Sequence, residues 1–434
     1  MDKQELLEKQ AAEVFTPSQP ITNPKLFSGR QELLDQLKGF VNVSGRNFVF
    51  YGERGVGKTS FYNILFKKSK VQMHTCSKRD DFVTIFLNIL SRLGEQFTDD
   101  ERKALAEAGY SFGADKVWSV SSKVGAENVY KPVAEQKLNL GFLINKFKNL
   151  QKPIDIIILD EFQNIESPEI QTDIIEVVKG ISDNNIKTQI AIVGVATSDE
   201  ELLTSPEYPQ YKMRHFIAAE IPEMNMEELK DIVNKRQELF RIHFGEEEKE
   251  WIARISSGSP SVTHSLALWS ILSWITRNVA KIVVNFLGLV PVVGVFFAPS
   301  IQAVNINIDR ADLVSAVVNW IKIFHSSYKQ VSKKYVDILQ TRDSETVRKL
   351  LVILAENKAH PLPMGKIARG LHIDAAKIKR LISNKLKLFV KPIDDDKYML
   401  INQSLQAYIR SWEYLKVHDA ESYATTLKSL SATD

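Results

Sequence analysis

Gly52-Glu53-Arg54-Gly55-Val56-Gly57-Lys58-Thr59 is the stretch from which the rest of the chain is read. It fits G-x-x-x-x-G-K-[ST] without deviation, follows the apolar run Asn47-Phe48-Val49-Phe50-Tyr51, and opens a helical pattern from Lys58 to Lys68. Glycines at that spacing let successive backbone N–H groups turn inward and form an anion nest at a helix N-terminus. In such a nest, continuing through Ser60, Lys58 reaches the β- and γ-phosphates of a nucleotide and the Thr59 hydroxyl ligands Mg²⁺. The bland alternative, a chance glycine-rich turn, does not explain why the full pattern sits between a strand and a helix.

Two more apolar runs, Ile154–Leu159 and Gln189–Val195, alternate with helical stretches, and Phe216–Ile221 is a further strand candidate. Strands alternating with helices imply a parallel sheet covered on both faces. The first of these runs ends in Asp160-Glu161. In nucleotide chemistry Asp160 holds Mg²⁺ through water and Glu161 polarises the attacking water; the alternative is a solvated acid pair closing a strand. Gln163 either helps orient water or is a surface residue. Thr197, after the third strand, either senses a γ-phosphate or caps the helix that begins at Asp199. Arg214, just before Phe216, is placed to project onto a neighbouring subunit's nucleotide, with Lys212 and His215 as close competitors.

The length, 434 residues, corresponds to two or three domains at roughly 150 residues each. With 44% hydrophobic and 25% charged residues, disorder, collagen and coiled-coil classes are excluded. A single cysteine, Cys76, excludes an internal disulfide framework and fits a reducing compartment. The charged start MDKQELLEKQ lacks the apolar core of a secretory signal, so a cytoplasmic location is expected. A formal net charge of +3 does not announce a nucleic-acid binder, and with eight scattered histidines no metal beyond Mg²⁺ is indicated.

Beyond the sheet the pattern turns helical: Met226–Phe244, Glu246–Ser256 and Pro260–Arg277. The stretch between Val71 and Lys152 holds a helix, Phe82–Leu93, and then a Gly/Ser/Val-rich loop in which Lys116–Val120 suggests a hairpin. Near the C-terminus, helical patterns at Ser344–Asn357, Pro363–Leu371 and Asp374–Leu386 precede a hairpin around Asp394-Asp395-Asp396. Three helices and a hairpin resemble a winged-helix domain, and Glu345–Leu415 carries thirteen Lys/Arg against seven Asp/Glu. One reading is DNA binding, with Asp374–Leu386 in the major groove and Lys377, Arg380 and Lys385 on phosphates. The other is a protein-interaction or autoinhibitory surface, since an acidic hairpin tip repels phosphate.

Residues 282–304 are strongly apolar, and no charge occurs from Ile282 to Asn307. About twenty residues span a bilayer, but Gly288, Pro291, Gly294 and Pro299 interrupt a single helix. A re-entrant hairpin or membrane-docking insert, a protein contact, and a loop buried in an assembly all remain open; an apolar patch this large calls for a partner.

Phe27-Ser28-Gly29-Arg30, the phosphate loop, Leu159-Asp160-Glu161-Phe162-Gln163 and the helical region after the sheet together resemble AAA+ and STAND-type P-loop ATPases. Within these the chain is similar to a widespread class of bacterial ATP-binding proteins with the phrase GERGVGKTS and a lid phrase like Ser257-Gly258-Ser259-Pro260-Ser261-Val262-Thr263-His264. The resemblance covers roughly residues 20–280. It implies an ATPase core with adenine near Ile21–Arg30, Arg30 included, and a lid that senses nucleotide. AAA+ lids often offer an arginine after the Gly-x-Pro turn; here stand Ser261 and His264, and STAND-type proteins also lack that arginine, so the resemblance implies a switch-like ATPase rather than a continuously cycling motor. His264 is read as a packed helix residue or as a phosphate contact.

The expected architecture is therefore an α/β P-loop NTPase with a parallel sheet, a helical lid and a C-terminal winged helix. The expected divisions are an N-terminal extension (1–20), ATPase core (21–222), lid (223–325, with the insert), winged helix (326–416) and tail (417–434). The expected function is ATP-binding and ATP-hydrolysing regulation with Mg²⁺, in a homo-oligomer. It is either DNA-associated, like initiator or transposition regulators, or a defence-type sensor acting on a membrane or effector through residues 282–304.

Overall fold

The computed structural model describes residues 3–95, 140–150, 153–288, 305–341, 343–357, 361–394 and 396–432. The Lys116–Val120 hairpin and most of the apolar insert, 289–304, lie outside these. The described chain divides into two compact units, one of residues 31–53 and 61–222, the other of residues 1–30, 54–60 and 223–434.

The first unit is built on a five-stranded parallel sheet in the order β2-β3-β4-β1-β5. Its strands are β1 (Asn47–Tyr51), β2 (Val71–Thr75), β3 (Ile156–Asp160), β4 (Gln189–Val193) and β5 (Phe216–Glu220). Phe48, Val49, Ile157, Leu159, Ile190 and Ile192 are fully buried, as runs with no polar face require when helices cover both sides. Helices Phe82–Arg92, Leu140–Lys148 and Pro168–Asp183 contribute to the core that includes Ile157 and Ile192. β2 has no counterpart among the apolar runs of the sequence. At the sheet edge Val71 and Met73 are exposed, so this strand alternates with polar residues and never becomes an apolar run.

The second unit gathers the helices Met226–Phe240, Glu246–Ser256 and Pro260–Gly288, then Arg310–Ser327 and Lys329–Leu339. The expected single helix Met226–Phe244 stops at Phe240. Arg241 adopts a left-handed backbone (φ 53°), and Ile242–Phe244 becomes β6, parallel to β7 (Ile306–Ile308). The helix expected to end at Arg277 runs on to Gly288, taking in the first residues of the insert. Among the described residues no helix is long and apolar enough to cross a membrane.

After these come the helix Ser344–Glu356, strand β8 (Leu362–Pro363), helices Met364–Leu371 and Ala375–Lys385, and strands β9 (Val390–Pro392) and β10 (Lys397–Leu400). β10 is central and antiparallel to both β8 and β9. Asp374 caps the Ala375–Lys385 helix through the amides of Ala376 and Lys377. The helices Gln403–His418 and Ala420–Ser431 finish the chain.

One buried cluster runs through this unit. Leu7, Ala11, Val14 and Phe15 of the N-terminal helix Lys3–Val14, Leu313 of the lid, and Leu351, Ile378 and Trp412 further on belong to one buried cluster. The N-terminal helix, the helices that follow the sheet and the C-terminal module thus share buried apolar residues. An amphipathic face buries itself against whatever apolar face is nearest, wherever a sequence motif ends. Leu313→Ala is expected to lose about 2–5 kcal/mol. The loss should appear in the same thermal transition that near-ultraviolet circular dichroism of Trp412 and Tyr408 reports, rather than in a separate lid transition.

Candidate functional site

Two groups of residues carry the candidate chemistry. The first begins where β1 ends. β1 is hydrogen-bonded on one side to β4 and on the other to β5, both parallel. The order of connections reverses at β1, and a ligand crevice in such sheets opens at the carboxyl ends of strands flanking a reversal. Gly52 leaves that end with φ 147°, and a Cβ there would stand 2.5 Å from the Ile221 carbonyl oxygen. Only glycine fits.

β3 ends on the same carboxyl edge, two strands from β1, which at ordinary strand spacing is about 10 Å. Asp160 Oδ2 accepts the Tyr62 hydroxyl at 2.9 Å, and its Oδ1 accepts the Glu161 amide at 2.9 Å. Tyr62 lies one turn past Lys58 on the helix Lys58–Leu65 that the phosphate loop opens. Asp160 is thereby tied to that helix. Glu161 stands in the left-handed region (φ 56°), a strained setting for a non-glycine residue and one that recurs at active sites. Gln163 donates to Glu161 Oε2 at 2.5 Å and accepts from the Val195 amide at 2.9 Å.

Thr197 is exposed, and both its amide and its hydroxyl donate to Glu201 Oε2. Ser198, not Thr197, caps the short helix Asp199–Leu202. Arg214 lies at the amino end of β5, beside Asn47 rather than Tyr51, because Asn47 registers with Phe216. Five residues of strand put it roughly 16 Å from the carboxyl edge. Its guanidinium is 77% exposed and lies 3.7 Å from Asp183. Of its competitors, Lys212 is bound to Asp199 and Glu200, and His215 is buried.

The second group is the remainder of the loop and what surrounds it. Gly55 (φ 86°) and Gly57 (φ 91°) both take left-handed conformations. Ser259 donates to the Gly55 carbonyl at 3.3 Å, and Pro260 lies 3.3 Å from where a Gly57 Cβ would be. Ser259 and Pro260, within the Ser257–His264 phrase, thus sit directly on Gly55 and Gly57. Ser60 Oγ accepts the Ile21 amide at 3.0 Å. Arg30 is buried, with Nη1 3.6 Å from the same Gly57 position. Its amide donates to Glu228 at 2.7 Å. Burial pulls the Arg30 guanidinium down to about 10, against the raising influence of Glu228. These contacts hold Ile21 and Arg30 beside Arg54–Ser60, the region in which the resemblance implied adenine.

Gln403, not singled out in the sequence, donates to the Ser257 carbonyl at 2.8 Å. A glutamine eight residues beyond the hairpin tip has no sequence feature that would mark it. His264 is a packed residue. Its Nδ1 accepts the Thr16 amide at 3.1 Å, so in the neutral ring the proton sits on Nε2, 3.4 Å from Arg236 Nη2. That second contact is two N–H groups meeting, and a proton added to Nδ1 would also break the Thr16 bond. Among the described residues no group of three or more His, Cys, Asp or Glu is arranged to hold a metal ion.

The chain matches no protein-family model and no curated protein. Solved structures similar to it include the Walker-type ATPase paby2304 of Pyrococcus abyssi (14% identity, covering 91% of this chain and 99% of that one, TM-score 0.45). Cdc6p from Pyrobaculum aerophilum is similar at 13% identity over 94% of this chain and 98% of that one, TM-score 0.45. The RuvB Holliday junction branch migration motor of Thermotoga maritima is similar at 14% identity over 90% and 95%, TM-score 0.39.

Burial, and then Arg236, hold the His264 imidazole well below its ordinary range. The unfolded chain binds a proton near pH 6.5 that the folded chain refuses, so stability is full above that pH and falls as pH drops below it. Melting temperatures between pH 8 and pH 5 should decline through this window, and His264→Gln, which keeps an acceptor but does not titrate, should flatten the decline.

Proposed function

We propose that the protein is a nucleotide-switched ATPase that works as an oligomer and engages DNA. The reading is carried by the convergence at the sheet's carboxyl edge: the phosphate-loop sequence leaves β1 at the reversal point, and Asp160-Glu161 ends β3 on the same edge. The backbone amides of Arg54–Thr59 and the Lys58 ammonium would hold the β- and γ-phosphates. Thr59 and Asp160 offer a hydroxyl and a carboxylate, hard oxygen donors that suit Mg²⁺, which keeps several waters and takes phosphate oxygens for the rest. Bound there, Mg²⁺ would neutralise charge on the phosphates. Glu161 takes a proton from water as the water oxygen bonds the γ-phosphorus. The bond to the bridging oxygen breaks, and ADP leaves with that electron pair.

Arg214 belongs to the other edge of the sheet, beyond an arginine's reach of its own subunit's β1 terminus. It serves this chemistry only in a neighbouring copy, once Asp183 releases it. The lid phrase resting on the loop favours a switch. A nucleotide that enters the loop alters the seat of Ser259 and Pro260, and the lid shares its core with the C-terminal module.

That module has the helix, strand, two-helix, hairpin order of a winged helix. The DNA reading is favoured over a purely protein-binding surface because two acids of its tip are paired: Asp394 with Lys397 at 2.8 Å and Asp396 with Lys379 at 3.7 Å. Lys377 and Arg380 are exposed on the Ala375–Lys385 helix. Lys385 is held by Asp343 at 2.7 Å and contributes only where phosphate displaces that carboxylate.

Lys58→Ala is expected to abolish measurable binding of a fluorescent ATP analogue. Glu161→Gln is expected to bind it normally while turnover falls at least about a hundredfold; unchanged turnover would refute the role given to Glu161. For DNA, affinity titrated against salt should weaken steeply. The combined Lys377→Glu and Arg380→Glu change should reduce the log–log slope by about 2, and an unaltered slope would move the interface elsewhere.

A further inference from the structure

Gln163 is fixed from both of its ends. The Val195 amide just past β4 can only donate, so it must meet the oxygen of the Gln163 side chain, at 2.9 Å. The nitrogen of that amide is then forced toward Glu161, where it donates to Oε2 at 2.5 Å. Flipping the amide would set NH₂ against N–H at one end and oxygen against carboxylate at the other. Room for this crossing comes from Gly194, where a Cβ would stand 2.9 Å from Gln163 Oε1 and 2.3 Å from Leu202 Cδ1. From the other side, the left-handed backbone at Glu161 (φ 56°) turns its carboxylate to the point where Gln163 meets it.

We propose that Gln163 is a positioning residue for Glu161, holding one carboxylate oxygen so that the other is presented to the water, and referring that orientation to the carboxyl end of β4. The inference rests on the reading of Glu161 as the base. A neutral amide suits the task. It orients the carboxylate without the full positive charge of a lysine or arginine, which would weaken Glu161 as a proton acceptor. Because the amide is anchored on β4, displacement of that strand's end turns Glu161 as well.

Two substitutions separate positioning from packing. Gln163→Glu keeps an acceptor for the Val195 amide but replaces the donor facing Glu161 with a second carboxylate. Gln163→Leu removes both hydrogen bonds at similar volume. In steady-state ATP hydrolysis both variants should lose about tenfold or more in kcat, with KM and the affinity for a non-hydrolysable ATP analogue within about twofold of wild type. In Gln163→Glu the acidic limb of the kcat–pH profile should also move to higher pH, since like charges raise the proton affinity of the pair. Wild-type kcat and pH profile in Gln163→Glu, beside a Glu161→Gln protein that has lost turnover, would overturn the proposal and leave the role of Glu161 intact. Loss of KM and kcat together, with the pH profile unmoved, would make Gln163 a packing residue and also overturn it. Unchanged turnover in Glu161→Gln would instead bring down the reading on which the proposal stands.

Discussion

Two parallel hydrogen-bonded ladders hold β1 in the middle of the sheet, β4 on one side and β5 on the other. That constraint decides where every candidate group stands. A strand bonded on both edges and buried on both faces cannot slide, because a one-residue slip would reverse the facing of each side chain. The end of β1 is therefore a fixed point from which Gly52 departs. The same ladder carries the end of β3 to the same edge and sends Arg214 to the opposite one. Candidate base and candidate trans-acting cation are thus separated by the length of one strand.

Around the loop, small contacts replace large ones. Ser259 and Ile21 reach Arg54–Ser60 through hydrogen bonds, and Pro260 and Arg30 stand at van der Waals distance from Gly57. Such contacts are individually worth little net free energy. Deeper in the same unit the balance changes. Arg236 is fully buried, donates to the carbonyls of Val14 and Ile232, and stands 5.4 Å over the Phe15 ring. Burial lowers its guanidinium to about 10. A buried charge satisfied by carbonyls and an aromatic face is costly to disturb, and it anchors the end of the N-terminal helix to the lid.

Charge in the C-terminal module is likewise organised rather than merely abundant. Several lysines are committed to local acids, Lys385 to Asp343, Lys397 to Asp394 and Lys379 to Asp396. These exposed pairs add little stability, but two of them give Asp394 and Asp396 at the hairpin tip a nearby cation. The positive character left on the Ala375–Lys385 helix is then narrower than its composition suggests.

By itself the sequence determined the parts whose physics is local. The glycines of Gly52–Thr59 mark a turn, and Gly52, Gly55 and Gly57 all take positive φ there, while apolar runs such as Ile156–Leu159 specify buried strands because their pattern has no polar face. Asp374 as a helix cap and Glu246–Ser256 as a helix were legible for the same reason. Tertiary structure decided what depends on a distant partner. β2 is a strand because β3 pairs with it; Ile242–Phe244 leaves its helix because Ile306–Ile308 meets it. Gln163 acquires its orientation from Val195, thirty-two residues later, and His264 is a packing residue because Thr16 donates to it. Long-range hydrogen bonds and shared burial have no period and no spacing, so nothing in a linear pattern announces them.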